Sequence, residues 1–259
     1  MKRISLFAFL LSCAAVFGSF ESVVISPASV AIGNISGFKG GDIIVPFTEF
    51  EKISVTGNYM IPFGFTELAM QEAAVSFRLK NIPLIVSGTN FGNADYRENS
   101  FSAAAGIYTF EGITIIPGLS YYSLDDVLGN KSSFGADLTA SYRFSEILSA
   151  VVSVQNIYAL ETDEIDIPMT MHFNFHYKAP AGFNVYAGAE KDDKNDGILK
   201  TGLEYAPFEF FSVSAGYNFD PELITAGLSI AYSGFIFSYG MSYHFDLGES
   251  HSAGIVYEF

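Results

Sequence analysis

The last twenty-six residues, 234–259, alternate so regularly that they restrict the fold more than any other part of the chain. Phe235, Phe237, Tyr239, Met241, Tyr243 and Phe245 fall on one side of an extended segment, and Ser238, Gly240, Ser242, His244 and Asp246 on the other. A period of two belongs to a β-strand with one apolar and one polar face. After a loop at 247–249, His251, Ala253, Ile255, Tyr257 and Phe259 oppose Ser252, Gly254, Val256 and Glu258. A second such strand therefore carries the chain to a terminal phenylalanine.

The same alternation recurs upstream. It is clearest where Phe134, Ala136, Leu138, Ala140, Tyr142 and Phe144 oppose Ser133, Gly135, Asp137, Thr139, Ser141 and Arg143, and where Met169, Met171, Phe173, Phe175 and Tyr177 oppose Thr170, His172, Asn174, His176 and Lys178. Between the amphipathic runs, short connections (Asn81, Glu111-Gly112, Ser145, residues 179–181, Pro207, Ser233) alternate with polar ones read as longer, such as 92–98, 125–131, 161–166 and 191–197. Residues 48–70 read as long and irregular, with a short helix near 65–70, and residues 42–47 as a first strand. The count is then fourteen strands, an even number with short turns at one end and long loops at the other, which is the plan of a transmembrane antiparallel β-barrel. A soluble two-sheet sandwich would bury the apolar face and gives no reason for two kinds of connection.

No uninterrupted apolar run of about 18 residues follows the N-terminus, so membrane-spanning helices are not expected. The N-terminus itself reads as a secretory signal over residues 1–18, with Lys2 and Arg3, an apolar core over 4–17 and small residues at Gly18 and Ser19. The single cysteine, Cys13, falls inside that core, leaving the mature chain without disulfides or thiolate metal sites. Net charge is −15, which disfavours nucleic acid as a partner. Residues 19–41 are small, turn-rich and without alternation. They read as an N-terminal plug or arm ahead of a barrel spanning 42–259.

The terminal strand ending on Phe259 resembles the C-terminal signal by which bacterial outer-membrane barrels are recognised, which implies the barrel-assembly machinery as a partner. More broadly, Ser26-Pro27-Ala28, the run Asn58-Tyr59-Met60-Ile61-Pro62-Phe63-Gly64, Phe91-Gly92 with Tyr96-Arg97-Glu98, and Tyr257-Glu258-Phe259 resemble the FadL-like long-chain fatty-acid transporter superfamily, most of all its PorV and PorQ branch. The resemblance implies a bacterial outer-membrane barrel in which a plug (Ser26, Pro27, Ala28) and a kinked strand divert a small hydrophobic ligand sideways into the membrane, with no cofactor and no enzymatic activity. Its PorV side implies a different role, a non-transporting barrel in protein secretion or surface attachment.

Parity assigns Glu72, Arg78, Asp137, Arg143, His172, His176, Lys200, Glu204 and Glu258 to the lumen, where mixed charge suits water or pairing between strands. Fourteen strands enclose more space than the roughly eight that side chains alone fill, so something has to occupy the lumen, and 19–41 is the available segment. Pro83, Pro117 and Gly118 are candidates for strand kinks, since proline cannot donate to a ladder. His172 and His176 share a face but lie about 13 Å apart along a strand, too far for one metal ion. In 192–197 a lysine stands where a calcium loop needs an oxygen ligand. Ser250, His251 and Ser252 lack a nucleophile motif, so an outer-membrane lipase is not indicated. Outer-membrane lipid and lipopolysaccharide, bridged to the acidic loops by divalent ions, complete the expected surroundings of a monomer.

Overall fold

A computed structural model describes residues 20, 23–39, 53–80, 82–160, 165–193 and 196–259. The expected signal at 1–18 and the expected strand at 42–47 lie outside the described residues. Fifteen strands form a single antiparallel sheet: β1 (Ser54–Ile61), β2 (Met70–Leu79), β3 (Ile82–Gly92), β4 (Arg97–Ala105), β5 (Tyr108–Phe110), β6 (Ile113–Asp126), β7 (Gly129–Ser145), β8 (Leu148–Ala159), β9 (Thr170–Lys178), β10 (Phe183–Asp192), β11 (Ile198–Phe208), β12 (Phe211–Phe219), β13 (Glu222–Tyr232), β14 (Phe235–His244) and β15 (Gly248–Glu258). Apart from β4 and β5, consecutive strands pair with each other; β1 pairs with β15 from Ser54 opposite Glu258 to Ile61 opposite His251, and β4 pairs with β6. The sheet thus closes on itself. β4 and the three-residue β5 both pair with β6 and make one interrupted stave, so the closed barrel has fourteen staves.

Its sidedness is that of a membrane barrel. Phe173 and Phe175 are 45% and 47% exposed, and Phe235 and Phe237 37% and 49%, whereas Thr170, His172, Asn174, Ser242, Ser250 and Ser252 are buried. Aromatic pairs gather at both ends of the outward face. Tyr142 with Phe144, Phe183 with Tyr205, Phe235 with Tyr257 and Tyr257 with Phe259 lie toward the short turns; Tyr121 with Phe134, Tyr217 with Phe219 and Tyr243 with Phe245 lie toward the other end. These are the interfacial girdles of an outer-membrane barrel, built from Phe and Tyr in a chain without tryptophan. Phe235 to Tyr243 spans eight residues, about 26 Å along the strand and about 20 Å of membrane once the strand tilts by about 40°. At the short-turn end, Glu111-Gly112 and Ser233-Gly234 have positive φ at both positions, the backbone of tight primed turns that match the twist of the strands they join.

Several boundaries differ from the sequence reading. The first stave is β1, inside the segment read as irregular: Gly57-Asn58, a turn signal in isolation, is held in register between β2 and β15, and Asn58 donates to Glu72 at 2.7 Å. The short helix near 65–70 is instead a pair of 3-10 turns at Pro62–Gly64 and Thr66–Leu68. Residues 125–131 are no loop, because β6 and β7 stay paired up to a two-residue turn at Val127-Leu128; backbone pairing does not need apolar side chains. Pro207 sits inside β11 at a register shift, and the turn follows at Glu209-Phe210. The alternation of short and long connections is therefore uneven, with two-residue turns on the loop side at 127–128 and 220–221.

Because Leu228 lies at mid-height on the outward face, Leu228→Arg is expected to lower unfolding stability in lipid vesicles by about 2–4 kcal/mol. Tyr232→Arg, at the short-turn rim, is expected to cost about 1 kcal/mol or less in the same urea titration.

Candidate functional site in the barrel lumen

Residues 23–39 run through the barrel, against the inner face of one half of the wall. The short helix α1 (Pro27–Ala31) has proline at its first turn, where the missing N–H costs nothing, and Val30, Ala31, Ile32 and Ile35 are buried. It fits because the facing wall has a row of inward glycines. A Cβ on Gly202 would fall against Ile32 O, on Gly216 against Gly33 N, on Gly227 against Ala31 Cβ, on Gly240 against Pro27 O and on Gly254 against the Pro27 ring. The five glycines come one each from β11 to β15, and their hydrogen-only side chains let the backbone of 27–33 lie directly on the sheet.

Polar wall residues take up the segment's exposed peptide groups. Ser252 Oγ donates to Ile25 O at 2.5 Å, and Thr225 Oγ1 donates to Ala31 O (3.1 Å) while accepting Gly33 N–H (3.0 Å). Lys200 Nζ donates to Asn34 O (3.1 Å), and Asn174 Nδ2 to Ser36 O (2.9 Å). The segment's far end is held by an ion pair between Lys39 and Glu204, with the Lys39 ammonium 5.2 Å from the Tyr186 ring and Phe38 packed against His176 and Tyr186. These contacts use both neutral and charged hydrogen bonds in a low-dielectric lumen, where unpaired peptide groups would be costly.

The residues assigned to the lumen by parity fall into separate groups. His172 and Lys200 meet through Glu190, which lies 3.2 Å from His172 Nδ1 and 2.6 Å from Lys200 Nζ. His176 bonds Asn184 at 3.0 Å, and Asn184 donates to Glu204 at 3.1 Å. Glu72 is buried with Asn58 on a different part of the wall, and Asp137 accepts from Ser120 Oγ (2.7 Å) and Asn156 N–H (2.8 Å). Arg78, Arg143 and Glu258 lie at the short-turn rim and are exposed. Ser26 and Pro27 are buried against β14 and β15, with Ala28 beside them half-buried. Ser250 and Ser252 point inward, Ser250 accepting from Phe63 N–H, while His251 lies on the opposite face bonded to the Tyr239 hydroxyl; the three do not form a nucleophile and base.

β3 and β6 keep unbroken register through Pro83 and through Pro117-Gly118. The interruption falls in the stave between them, at Gly106-Ile107, where Gly106 N–H bonds Pro83 O and Ile107 N–H bonds Ile115 O. A Cβ at Gly106 would collide with the Pro83 ring. Two prolines without N–H groups flank the gap in the ladder.

On the side of the lumen that the segment leaves uncovered, a cavity of about 170 Å³ runs from Phe91 and Glu98 near the loop end down to Ala104, Ile116 and Gly118 beside the interrupted stave. A second, of about 520 Å³, opens at the short-turn end between Lys39, Arg143, His176, Lys178 and Glu204. The loop-side mouth is roofed by Ile165 and Ile167, which pack on Tyr122, Leu124 and Phe20, so the end of the 161–166 loop folds inward instead of standing in solvent.

Lipid outside, polar groups and a bound segment inside, and a sheet closed on itself define a bacterial outer-membrane β-barrel with an occupied lumen. No family model matches the sequence, and no curated protein matches it. Among solved structures the fold is similar to CymD, a monoaromatic hydrocarbon channel (TM-score 0.63, 11% identity, 89% of this chain and 98% of that chain). It is similar also to the ΔS2S3 mutant of TodX, another monoaromatic hydrocarbon channel (TM-score 0.60, 11% identity, 92% and 99%), and to the Acinetobacter baumannii outer membrane protein Omp33 (TM-score 0.55, 8% identity, 80% and 98%). The barrel from Ser54 onward is about four-fifths of the chain. Coverage of 89% and 92% therefore takes in residues that precede it.

The glycine row and the contact residues Thr225, Asn174 and Ser252 were not singled out as site residues from sequence, whereas Lys200 and Glu204 were assigned to the lumen. The glycines do carry a signal, spaced 11 to 14 residues apart from Gly202 to Gly254, about one strand and turn each time. Gly216→Val, whose Cβ would meet only atoms of Ile32 and Gly33, is expected to lift the segment from the wall while leaving the barrel closed. In a Cys13→Ser, Val30→Cys background, which has no other thiol, labelling of the cysteine by a water-soluble maleimide should accelerate at least tenfold when Gly216→Val is added.

Proposed function

We propose that the protein is a passive, plug-gated channel of the FadL-like type, admitting small hydrophobic molecules from the outer side without energy coupling. One observation carries this reading: residues 23–39 fill one half of the lumen and leave a cavity along the other half, ending beside the interrupted stave at Gly106-Ile107. A ligand that descends this cavity meets the place where the wall has fewest ladder hydrogen bonds, and separation of Gly106 from Pro83 would release it sideways into lipid. The extension of the likeness to two hydrocarbon channels beyond the barrel itself supports the same reading. In this account residues 19–41 are the plug, Pro83, Pro117 and Gly118 shape the exit, and the charged pairs on β9 to β11 hold the plug in place.

The PorV-like reading, a scaffold for secreted proteins, has one feature in its favour. The β6–β7 hairpin projects past the barrel and presents Val127 and Leu128 at its tip, both almost fully exposed. Phe259 is on the outward face at the short-turn end with its N–H bonded to Ile53 O; in this account it is the residue an assembly machinery would recognise, and lipopolysaccharide would surround the loop end.

Deletion of residues 19–41 from the mature protein separates these readings. In planar bilayers the full chain is expected to be closed or weakly conducting and the deletion variant to show stable openings at least tenfold larger. A deletion variant that folds but stays closed would falsify plug gating.

A further inference from the structure

The proposed channel leaves open which molecules its cavity prefers, and the chemistry of the cavity wall answers that; the inference rests on the channel reading for the route but not for the binding preference. One flank of the 170 Å³ cavity is apolar, with Ile25, Ile85, Ile116 and Ala104. Contiguous with it on the same strands is a file of hydroxyls that includes Ser100, Ser102, Ser120, Thr139 and Ser153. Two carboxylates, Glu98 and Asp137, line it, and among the described residues no lysine, arginine or histidine does.

Along one relay of this wall the direction of the hydrogen bonds is fixed. Ser120 has one proton and gives it to Asp137 Oδ2 at 2.7 Å. In the 2.8 Å contact between Ser102 and Ser120 the donor is therefore Ser102. The relay spends its protons on itself and ends on a carboxylate, which only accepts; the other oxygen of Asp137 already receives Asn156 N–H, with further lone pairs left over. What this relay has to offer a ligand is acceptors.

The volume sets the size. An enclosed apolar cavity of about 150 Å³ takes up benzene, so this one, of about 170 Å³, has room for a single substituted ring.

We infer that the loop-side cavity is a selectivity site for uncharged, ring-sized molecules that carry hydroxyl or other hydrogen-bond donors, with Asp137 as the principal acceptor, and that it discriminates against carboxylates and against plain hydrocarbons of the same size. The apolar flank receives the ring, and the Ser102–Ser120–Asp137 relay receives the donor. A carboxylate in the same place faces the Asp137 carboxylate, and among the described residues no lysine, arginine or histidine lines the cavity. A hydrocarbon leaves the acceptors of the relay unpaired, the situation in which a hydrogen-bonding site discriminates most strongly.

The test uses the full mature chain in detergent and three probes of one size, catechol, toluene and benzoate, with binding followed by ligand-observed NMR against protein-free micelles. Catechol is expected to bind at least tenfold more tightly than either of the others. In Asp137→Asn, checked for a closed barrel by heat-dependent gel mobility, the preference of catechol over benzoate should shrink to within about threefold. Ser120→Ala, which removes the relay and keeps the carboxylate, should weaken catechol and leave toluene unchanged, and it stands in should Asp137→Asn not fold. Equal binding of toluene and catechol, tighter binding of benzoate, or a preference untouched in both variants overturns the inference. Selective binding without any flux in bilayers would overturn the channel reading and leave the selectivity site standing.

Discussion

Closure of the backbone ladder is the constraint on which everything else depends. In hydrocarbon an unpaired peptide group costs several kcal/mol, so a sheet can face lipid only if it has no edge. Here the requirement is met at two seams: β1 against β15 joins the first stave to the last, and β4 with β5 against β6 carries the ladder across the one interrupted stave. Once the sheet is closed, the period of two decides the rest. One set of side chains must face acyl tails and the other must face a lumen too wide for them to fill.

That surplus of space explains the N-terminal segment. A helix of only five residues would not persist alone, and it is held because the wall presents backbone where other positions present side chains. The row from Gly202 to Gly254 removes side-chain bulk along a line across five strands, and Thr225, Ser252, Asn174 and Lys200 replace water around the segment's peptide groups. The bound segment covers β11 to β15 and leaves β3 to β8 lined by hydroxyls and two carboxylates. The functional asymmetry of the lumen follows from which half of the wall carries glycine.

Much of the barrel was legible in the sequence because the signal is local. β7, β9 and β14 announce themselves by strict alternation, and their outward aromatics and inward polar groups are on the faces that alternation assigns. Where the fold was misread, pairing outweighed a local cue. Gly57-Asn58 looks like a turn until β2 and β15 hold it flat, residues 125–131 look like a loop until the β6–β7 ladder continues through most of them, and Pro207 looks like a turn until a register shift accommodates it. The lumen was harder for a different reason. Parity puts a residue on the inner wall but does not say which inner residues are neighbours: Glu190, which joins His172 to Lys200, and Lys39, which reaches Glu204, become visible only through the register between strands and the path of the segment.

The most direct measurement of the central claim is a nitroxide scan from Phe235 to His244 in the full chain reconstituted in bilayers, with accessibility to oxygen and to a water-soluble nickel chelate read at each position. The account predicts strict alternation: odd-numbered positions favour oxygen, as lipid-facing sites do, and even-numbered positions such as 238, 240 and 242 show low access to both reagents because the bound segment and inner wall cover them. A profile without that period, or one with its phase reversed so that Phe235 and Phe237 are shielded and Ser238 and Ser242 meet lipid, would contradict it.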